Sequence, residues 1–175
     1  VPAPAIIKPN REGSTVGLTF AQSDDQIAEG VRMALQYPGG CLIEEWVVGM
    51  EISVPVLCGS ALPPVEICPT SGGYDFANKY TPGATEEIVP ARLPEHLIQE
   101  VQRVALLAHE TLGCEGATRT DMIVRGDEVF VLEVNTLPGM TSTSLLPNSA
   151  RAAGITFEEL CSRIVEDALK RYAST

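Results

Sequence analysis

The run Val129-Phe130-Val131-Leu132-Glu133-Val134-Asn135 most narrows what this chain can become. Its β-branched, aromatic and aliphatic residues call for a strand. One carboxylate and one amide are set into it two positions apart. Side chains alternate across a strand, so Glu133 and Asn135 face the same way. The strand then opens into a loop with Pro138 and Gly139, followed by the hydroxyl residues Thr141, Ser142, Thr143 and Ser144. An acid and an amide at one reach suit a hard cation such as Mg²⁺. A flexible, hydroxyl-rich loop beside them suits an anionic substrate group. Alternation alone is equally compatible with an ordinary half-exposed strand, so the rest of the chain has to discriminate.

Upstream, Gly116-Ala117-Thr118-Arg119-Thr120-Asp121 reads as a partner strand on which Arg119 and Asp121 share a face. A surface ion pair is the plain alternative. Register decides whether Asp121 joins Glu133. A regular two-residue turn at Gly126-Asp127 pairs Asp121 with Leu132 and sends Glu133 to the other face. An odd-length turn, or an equivalent bulge, pairs Asp121 with Glu133 and Arg119 with Asn135. The shared site therefore requires one of the latter two.

Bulk properties set limits. A chain of 175 residues, 45% apolar and 20% charged, can bury a sizeable core. The net charge of −11 argues against nucleic acid and anionic membrane as partners. It leaves room for a phosphate ligand, which needs only local positive charge. There are three lysines, Lys8, Lys79 and Lys170. Five cysteines without C-x-x-C or zinc spacing point to reduced, buried thiols and a cytoplasmic protein. His96 and His109 read as helix-surface residues. No apolar stretch is long enough for a membrane span. A start at Val1-Pro2-Ala3-Pro4, without an initiator Met, reads as a piece of a longer protein.

In chain order, Ala5 to Lys8 is a strand that delivers a lysine, and Pro9 to Thr15 is a Gly/Ser turn. Val16 to Phe20 is the returning strand. Backbone N–H groups and the Ser14 hydroxyl beside Lys8 make a plausible phosphate grip, although no P-loop motif is present. Ser23 to Gln26 is a capping box for a helix whose stripe is Ile27, Val31, Ala34 and Leu35. Cys41 to Val48 and Glu51 to Cys58 are strands. Glu44 and Glu45 are adjacent and so face opposite sides. Pro55 lacks a donor and predicts an edge strand or bulge. Pro64 to Pro69 is a short strand, and 70–85 is a long aromatic-containing loop of the kind that forms lids. A helix over 94–112 carries the stripe Leu97, Val101, Val104, Ala105, Ala108 and Leu112 and ends at Gly113. A short helix over 147–153 and a closing helix, capped at Thr156 with Leu160, Ile164, Ala168 and Leu169 buried, complete the chain.

The string from Glu133 to Leu145, with K-P-N-R-E-G-S-T-V-G at 8–17, E-E-W-V-V-G-M-E at 44–51, Y-D-F-A-N-K-Y at 74–80 and R-T-D at 119–121, resembles the D-alanine–D-alanine ligases. These are a branch of the ATP-grasp superfamily, and the likeness covers essentially all 175 residues. It implies an α+β ATP-grasp fold, a largely antiparallel sheet flanked by helices. Residues 1–50 would be part of the small lobe and 51–175 the C-terminal lobe, with its lid loop at 70–85. The N-terminal domain of such ligases would be absent.

The resemblance also implies roles. Lys8 and Lys79 would hold ATP phosphates. Glu44, Glu45, Val47 and Glu51 would form the adenine and ribose wall. Asp121, Glu133 and Asn135 would hold two Mg²⁺ ions, with Mn²⁺ as a substitute. Ser14 and Tyr80 would close the active site. Arg119 and the Gly139 N–H would stabilise an oxyanion, while Ser144 and the Leu145 N–H would grip the second substrate's carboxylate. Gly73 departs from the family, many of whose members carry an aromatic there. The implied reaction is ATP-dependent ligation of two D-alanines through a D-alanyl phosphate, for peptidoglycan precursors, in an enzyme that can be a homodimer. Tyr80 favours D-alanine over D-lactate as the second substrate. A non-catalytic ATP-binding fragment and a ligase of another amino or hydroxy acid are the alternatives. The 175-residue chain is expected to have little or no activity alone.

Overall fold

The computed structural model describes residues 1–69 and 85–173. They belong to two compact units, Val1–Val48 and Gly49–Thr175.

In the first unit β1 (Ala5–Pro9), β2 (Thr19–Ala21) and β3 (Cys41–Glu45) form an antiparallel sheet in the order β2-β1-β3. Burial alternates along β1, and its Ala5 and Ile7 meet Ala21 and Ala34 in a small core. Helix α1 (Asp24–Ala34) covers that face. It begins on the expected cap: Ser23 accepts the Gln26 N–H, and Gln26 Oε1 reaches back to the Gln22 N–H at 2.6 Å. Leu35, expected in the buried stripe, is instead the exposed C-cap, past the last turn that faces the sheet. The returning strand starts at Thr19 rather than Val16. The chain is still turning at Ser14 and Thr15, both at positive φ (54° and 59°).

The second unit holds β4 (Met50–Leu57), β5 (Ser60–Ala61), β6 (Val65–Pro69), β7 (Thr85–Ile88), β8 (Ala117–Arg125) and β9 (Glu128–Asn135). They run antiparallel in the order β7-β6-β4-β8-β9, with β5 also paired to β4. Helix α2 (Glu95–Thr111) packs Leu97, Val101 and Ala105 onto Ile52, Val54 and Val56 of β4 and Met122 and Val124 of β8. Each such large aliphatic side chain contributes roughly 1.5–3 kcal/mol by leaving water. Helices α3 (Leu145–Ala152) and α4 (Phe157–Tyr172) enclose a second core of Leu57, Leu62, Leu146, Ala150, Ile155 and Leu160. The α2 core takes the even-numbered residues of β4. By alternation Glu51, Ser53 and Pro55 point to the opposite face. No helix among the described residues is long and apolar enough to cross a membrane.

Several expectations change here. His109 is buried, not on the surface; its Nδ1 lies 2.8 Å from Thr118 Oγ1, and it continues the Leu97–Val101–Ala105 stripe one turn further. Leu112 and Leu169, expected in buried stripes, are exposed. Helix α3 begins at Leu145, two residues before the expected start. The five cysteines are free and half-buried. Pro55 lies in a central strand without a bulge. A strand residue's N and O point to the same side, and Pro55 O accepts the Leu62 N–H at 2.8 Å. Its donorless nitrogen thus faces the gap between β6, which pairs with Glu51–Ser53, and β5, which pairs with Val56–Leu57.

The β8–β9 hairpin resolves the register question. Its turn has two residues, with Arg125 paired to Glu128 and Gly126 at φ 61°. Positive φ at the first central position is what such a turn demands of a glycine. The ladder then slips between Met122, which pairs with Val131, and Asp121, which pairs with Glu133. Leu132 is the extra residue of a bulge. Of the two routes to the shared face, the bulge is the one used.

One buried charge supports the β6 side. Glu66 on β6 accepts N–H groups from the Arg92 side chain at 2.5 and 2.9 Å and from its backbone at 3.1 Å. The Arg92 hydrogen bonds hold the carboxyl at about 2, against an ordinary 4.5, although burial pushes the other way. Because the folded value is depressed, this stability is present above the ordinary value and is lost as pH falls toward 2. It is worth on the order of 2 kcal/mol at neutral pH, allowing for solvent around Arg92. Urea titrations at stepped pH should show a steep acid decline between about 4.5 and 2, and Glu66→Gln should flatten it.

Candidate functional site

Three strands deliver the site of the second unit. Ser53 of β4 pairs with Asp121 of β8, which pairs with Glu133 of β9. The next row is Pro55, Arg119 and Asn135. Directly opposed residues of an antiparallel sheet share a face. Arg119, Asp121, Glu133 and Asn135 therefore stand together, with Glu51 further along β4 on the same side.

Arg119 and Asp121 form a bidentate pair, Nε to Oδ1 at 2.9 Å and Nη2 to Oδ2 at 2.7 Å. Their side chains are 17% and 10% exposed, so this is not the surface pair of the plain alternative. The Ser53 hydroxyl donates to Asp121 Oδ1 at 2.7 Å. Burial works against the Arg119 charge. The hydrogen bonds to Asp121, with the fields of Asp121, Glu133 and Glu51, outweigh it and hold the guanidinium above its ordinary value.

Asn135 Oδ1 accepts the Leu137 N–H at 3.0 Å, a local turn that fixes the side chain as the strand ends. Glu133 is exposed. Among the described residues there is no group of three His, Cys, Asp or Glu placed for a metal. Two carboxylates and one amide oxygen remain a fitting donor set for Mg²⁺. That ion uses one or two carboxylates and completes its shell with water and phosphate oxygens.

The loop after β9 leads into α3. Ser144, its N-cap, makes no cap hydrogen bond with its side chain. Instead its Oγ accepts the Thr141 N–H at 3.0 Å and lies 2.8 Å from Thr141 Oγ1. Leu145 is the first helical residue, and first-turn N–H groups have no partner within the helix, so its N–H suits a carboxylate. Gly139 sits against Ser144: a Cβ there would lie 2.7 Å from Ser144 Oγ. Gly139→Ala should leave stability nearly unchanged, because a serine rotor can yield. It should displace Ser144 and the 139–144 backbone. In an active ligase, kcat/KM for the amine-donating substrate should then fall about 10²-fold, the usual cost of an ångström-scale misplacement; steady-state kinetics reads it.

In the first unit Lys8 Nζ is 2.7 Å from Glu44 of the neighbouring strand. Sequence reading had put these residues in separate phosphate and adenine segments. Glu45 is exposed on the other side of β3, and Val47 is half-buried beyond it. Ser14 is exposed, and its left-handed backbone is continued by β-branched Thr15. Two such residues in succession store strain of the kind found at functional loops. Lys79 and Tyr80, with Gly73, Tyr74 and Asp75, lie outside the described residues. Ser53 was missed: a lone serine in an apolar strand carries little signal, although its spacing from Glu51 put it on the polar face.

The family model described as "D-ala D-ala ligase C-terminus" matches residues 1–166. The D-alanine–D-alanine ligase of Desulforamulus reducens is 42% identical over 174 residues, 98% of this chain and 56% of that protein. The ligase of Syntrophobacter fumaroxidans is 46% identical over 172 residues, 95% of this chain and 55% of that protein. The crystal structure of the Bacillus anthracis D-alanine–D-alanine ligase complexed with ATP superposes with a TM-score of 0.84 at 32% identity. That match covers 99% of this chain and 56% of the other. The chain thus spans about half the length of the curated relatives it matches.

Proposed function

The chain belongs to the family of D-alanine–D-alanine ligase C-terminal regions, and we propose that it is the ATP- and metal-binding portion of an enzyme joining two D-alanines. Its fold is the expected ATP-grasp arrangement of mixed helices and antiparallel sheet. The observation that carries the proposal is the bulged register, which sets Asp121 opposite Glu133 and Arg119 opposite Asn135 on one face. A plain two-residue hairpin would have scattered these groups.

In this reading residues 1–50 form part of the small lobe and 51–175 the C-terminal lobe. Lys8 and Lys79 neutralise ATP phosphates, Glu44, Glu45 and Val47 border the adenine, and Glu51 takes the ribose hydroxyls. Asp121, Glu133 and Asn135 would hold Mg²⁺, or Mn²⁺ in its place. When bound, such an ion would supply positive charge to offset that on the ATP phosphates. The first D-alanine's carboxylate attacks the γ-phosphorus, releasing ADP and leaving D-alanyl phosphate. The second D-alanine's amine attacks the acyl carbon. The tetrahedral intermediate then expels inorganic phosphate, loses a proton from nitrogen and becomes the dipeptide. Arg119 gives two of its five N–H donors to Asp121. Its other donors and the Gly139 N–H meet the oxyanion; one such donor is typically worth roughly 3–4 kcal/mol. Ser144 and the Leu145 N–H hold the second carboxylate. Ser14 and Tyr80 help to close the site and keep water from the acyl phosphate. The setting is the cytoplasm, where ATP is available.

The test is dipeptide formation from D-alanine and ATP, followed by mass spectrometry. The 175-residue chain alone should give little or none. A fusion of it to the N-terminal half of the S. fumaroxidans ligase should give D-alanyl-D-alanine rather than D-alanyl-D-lactate when both acceptors are supplied. A folded fusion that binds ATP and yields neither would overturn the reading.

A further inference from the structure

Ser53 has no role in the reaction described above, yet its hydroxyl is fully buried and aimed at the Asp121 carboxylate. An ionised carboxylate only accepts, so Ser53 must be the donor. Asp121 Oδ1 thus receives two hydrogen bonds, from Ser53 at 2.7 Å and from Arg119 Nε at 2.9 Å. Oδ2 receives one, from Arg119 Nη2 at 2.7 Å. A carboxylate offers about four lone-pair sites, two on each oxygen. Among the described residues, three are filled and the open one is on Oδ2.

We propose that Ser53 is a positioning residue that sets cation specificity: with Arg119 it saturates Asp121 Oδ1, leaving Oδ2 as the single ligating oxygen. The proposal rests on the reading of Asp121 as a metal ligand. One-oxygen ligation suits Mg²⁺, which is small and octahedral, whereas Ca²⁺ is larger and readily takes both oxygens of a carboxylate. The arrangement is built into the fold rather than into a mobile side chain. Ser53 lies directly across the ladder from Asp121, and β4 is paired on both sides. The guanidinium, held by two bonds, cannot leave one oxygen without disturbing the other.

The test is a Mn²⁺ titration of the 175-residue chain with ATP present, read by the electron paramagnetic resonance of free Mn²⁺, with Mg²⁺ and Ca²⁺ as competitors. Ser53→Ala should weaken Mn²⁺ binding about tenfold, the lower end for losing a group that orients a metal ligand. It should also narrow the preference for Mg²⁺ over Ca²⁺, which general loosening of the fold would not do selectively. Ser53→Thr, which keeps the hydroxyl, should retain both values. If Ser53→Ala does not fold, Ser53→Cys, a weak donor, should show the same trend in part. A folded Ser53→Ala with unchanged Mn²⁺ affinity and unchanged Mg²⁺ preference would overturn the role of Ser53. If Asp121→Asn binds Mn²⁺ as the wild type does, Asp121 is not a ligand and the underlying reading fails instead. A wild-type chain that takes up no Mn²⁺ would remove both.

Discussion

Replacing Arg119 with alanine should cost about 3–5 kcal/mol of stability, the range for removing one partner of a buried ion pair. The cost comes from what is left behind. Asp121 is 7% exposed, and without the guanidinium it keeps the Ser53 hydroxyl as its hydrogen bond from these two partners. Urea denaturation should show a lower midpoint with an unchanged slope. Arg119→Lys should recover only part of the loss, since an ammonium restores charge but not the two parallel bonds. Adding Asp121→Asn to Arg119→Ala should also recover part, because no buried charge then goes unpaired. A loss below about 1 kcal/mol would mean that solvent screens the pair as it does at surfaces. Catalysis should suffer independently of folding, because the same guanidinium is proposed to meet the oxyanion.

The second large effect is expected at Gly49, where the reason is packing. A Cβ there would lie 2.4 Å from the Val124 carbonyl oxygen and 2.7 Å from Ile123 Cγ2. The first obstacle is backbone in a paired strand, which cannot rotate aside. Gly49→Ala must therefore pry the start of β4 from the end of β8, where Met50 pairs with Val124. About 3 kcal/mol of destabilisation should follow, the upper part of the range for overpacking. Glu51 is two residues along the same strand, so nucleotide affinity should fall with stability. Thermal unfolding of Gly49→Ala beside Gly13→Ala, where a Cβ meets nothing within 4 Å and the backbone is not left-handed, controls for the loss of a glycine as such. Equal melting temperatures would contradict the close-approach account.

Much of the second unit is legible in its sequence because the signals there are local. The α2 stripe, the cap at Thr156, and the need for a slip between β8 and β9 all follow from spacing, as the cap at Ser23 does in the first unit. Where the slip falls does not. Gly126-Asp127 satisfies a two-residue turn, and only the assembled ladder shows the extra residue at Leu132. Long-range pairings were equally hidden. The ladder between β1 and β3 sets Lys8 beside Glu44, and that between β4 and β8 sets Ser53 beside Asp121. No local pattern specifies either. Pro55 misled because the rule against central prolines assumes continuous partners on both sides, and β5 and β6 leave a gap where its N–H would have pointed. His109 was recoverable: it lies four residues after Ala105 in the buried stripe, but a polar name hid a core position.

Asp121, Glu133 and Asn135 are together proposed to hold the metal that carries ATP. The decisive experiment is calorimetric titration of Mg-ATP into the 175-residue chain, beside Glu133→Gln and Asp121→Asn. The wild-type chain should bind, and each substitution should abolish binding or weaken it at least tenfold while circular dichroism stays unchanged. Folded variants that bind Mg-ATP as tightly as the wild type would contradict that assignment.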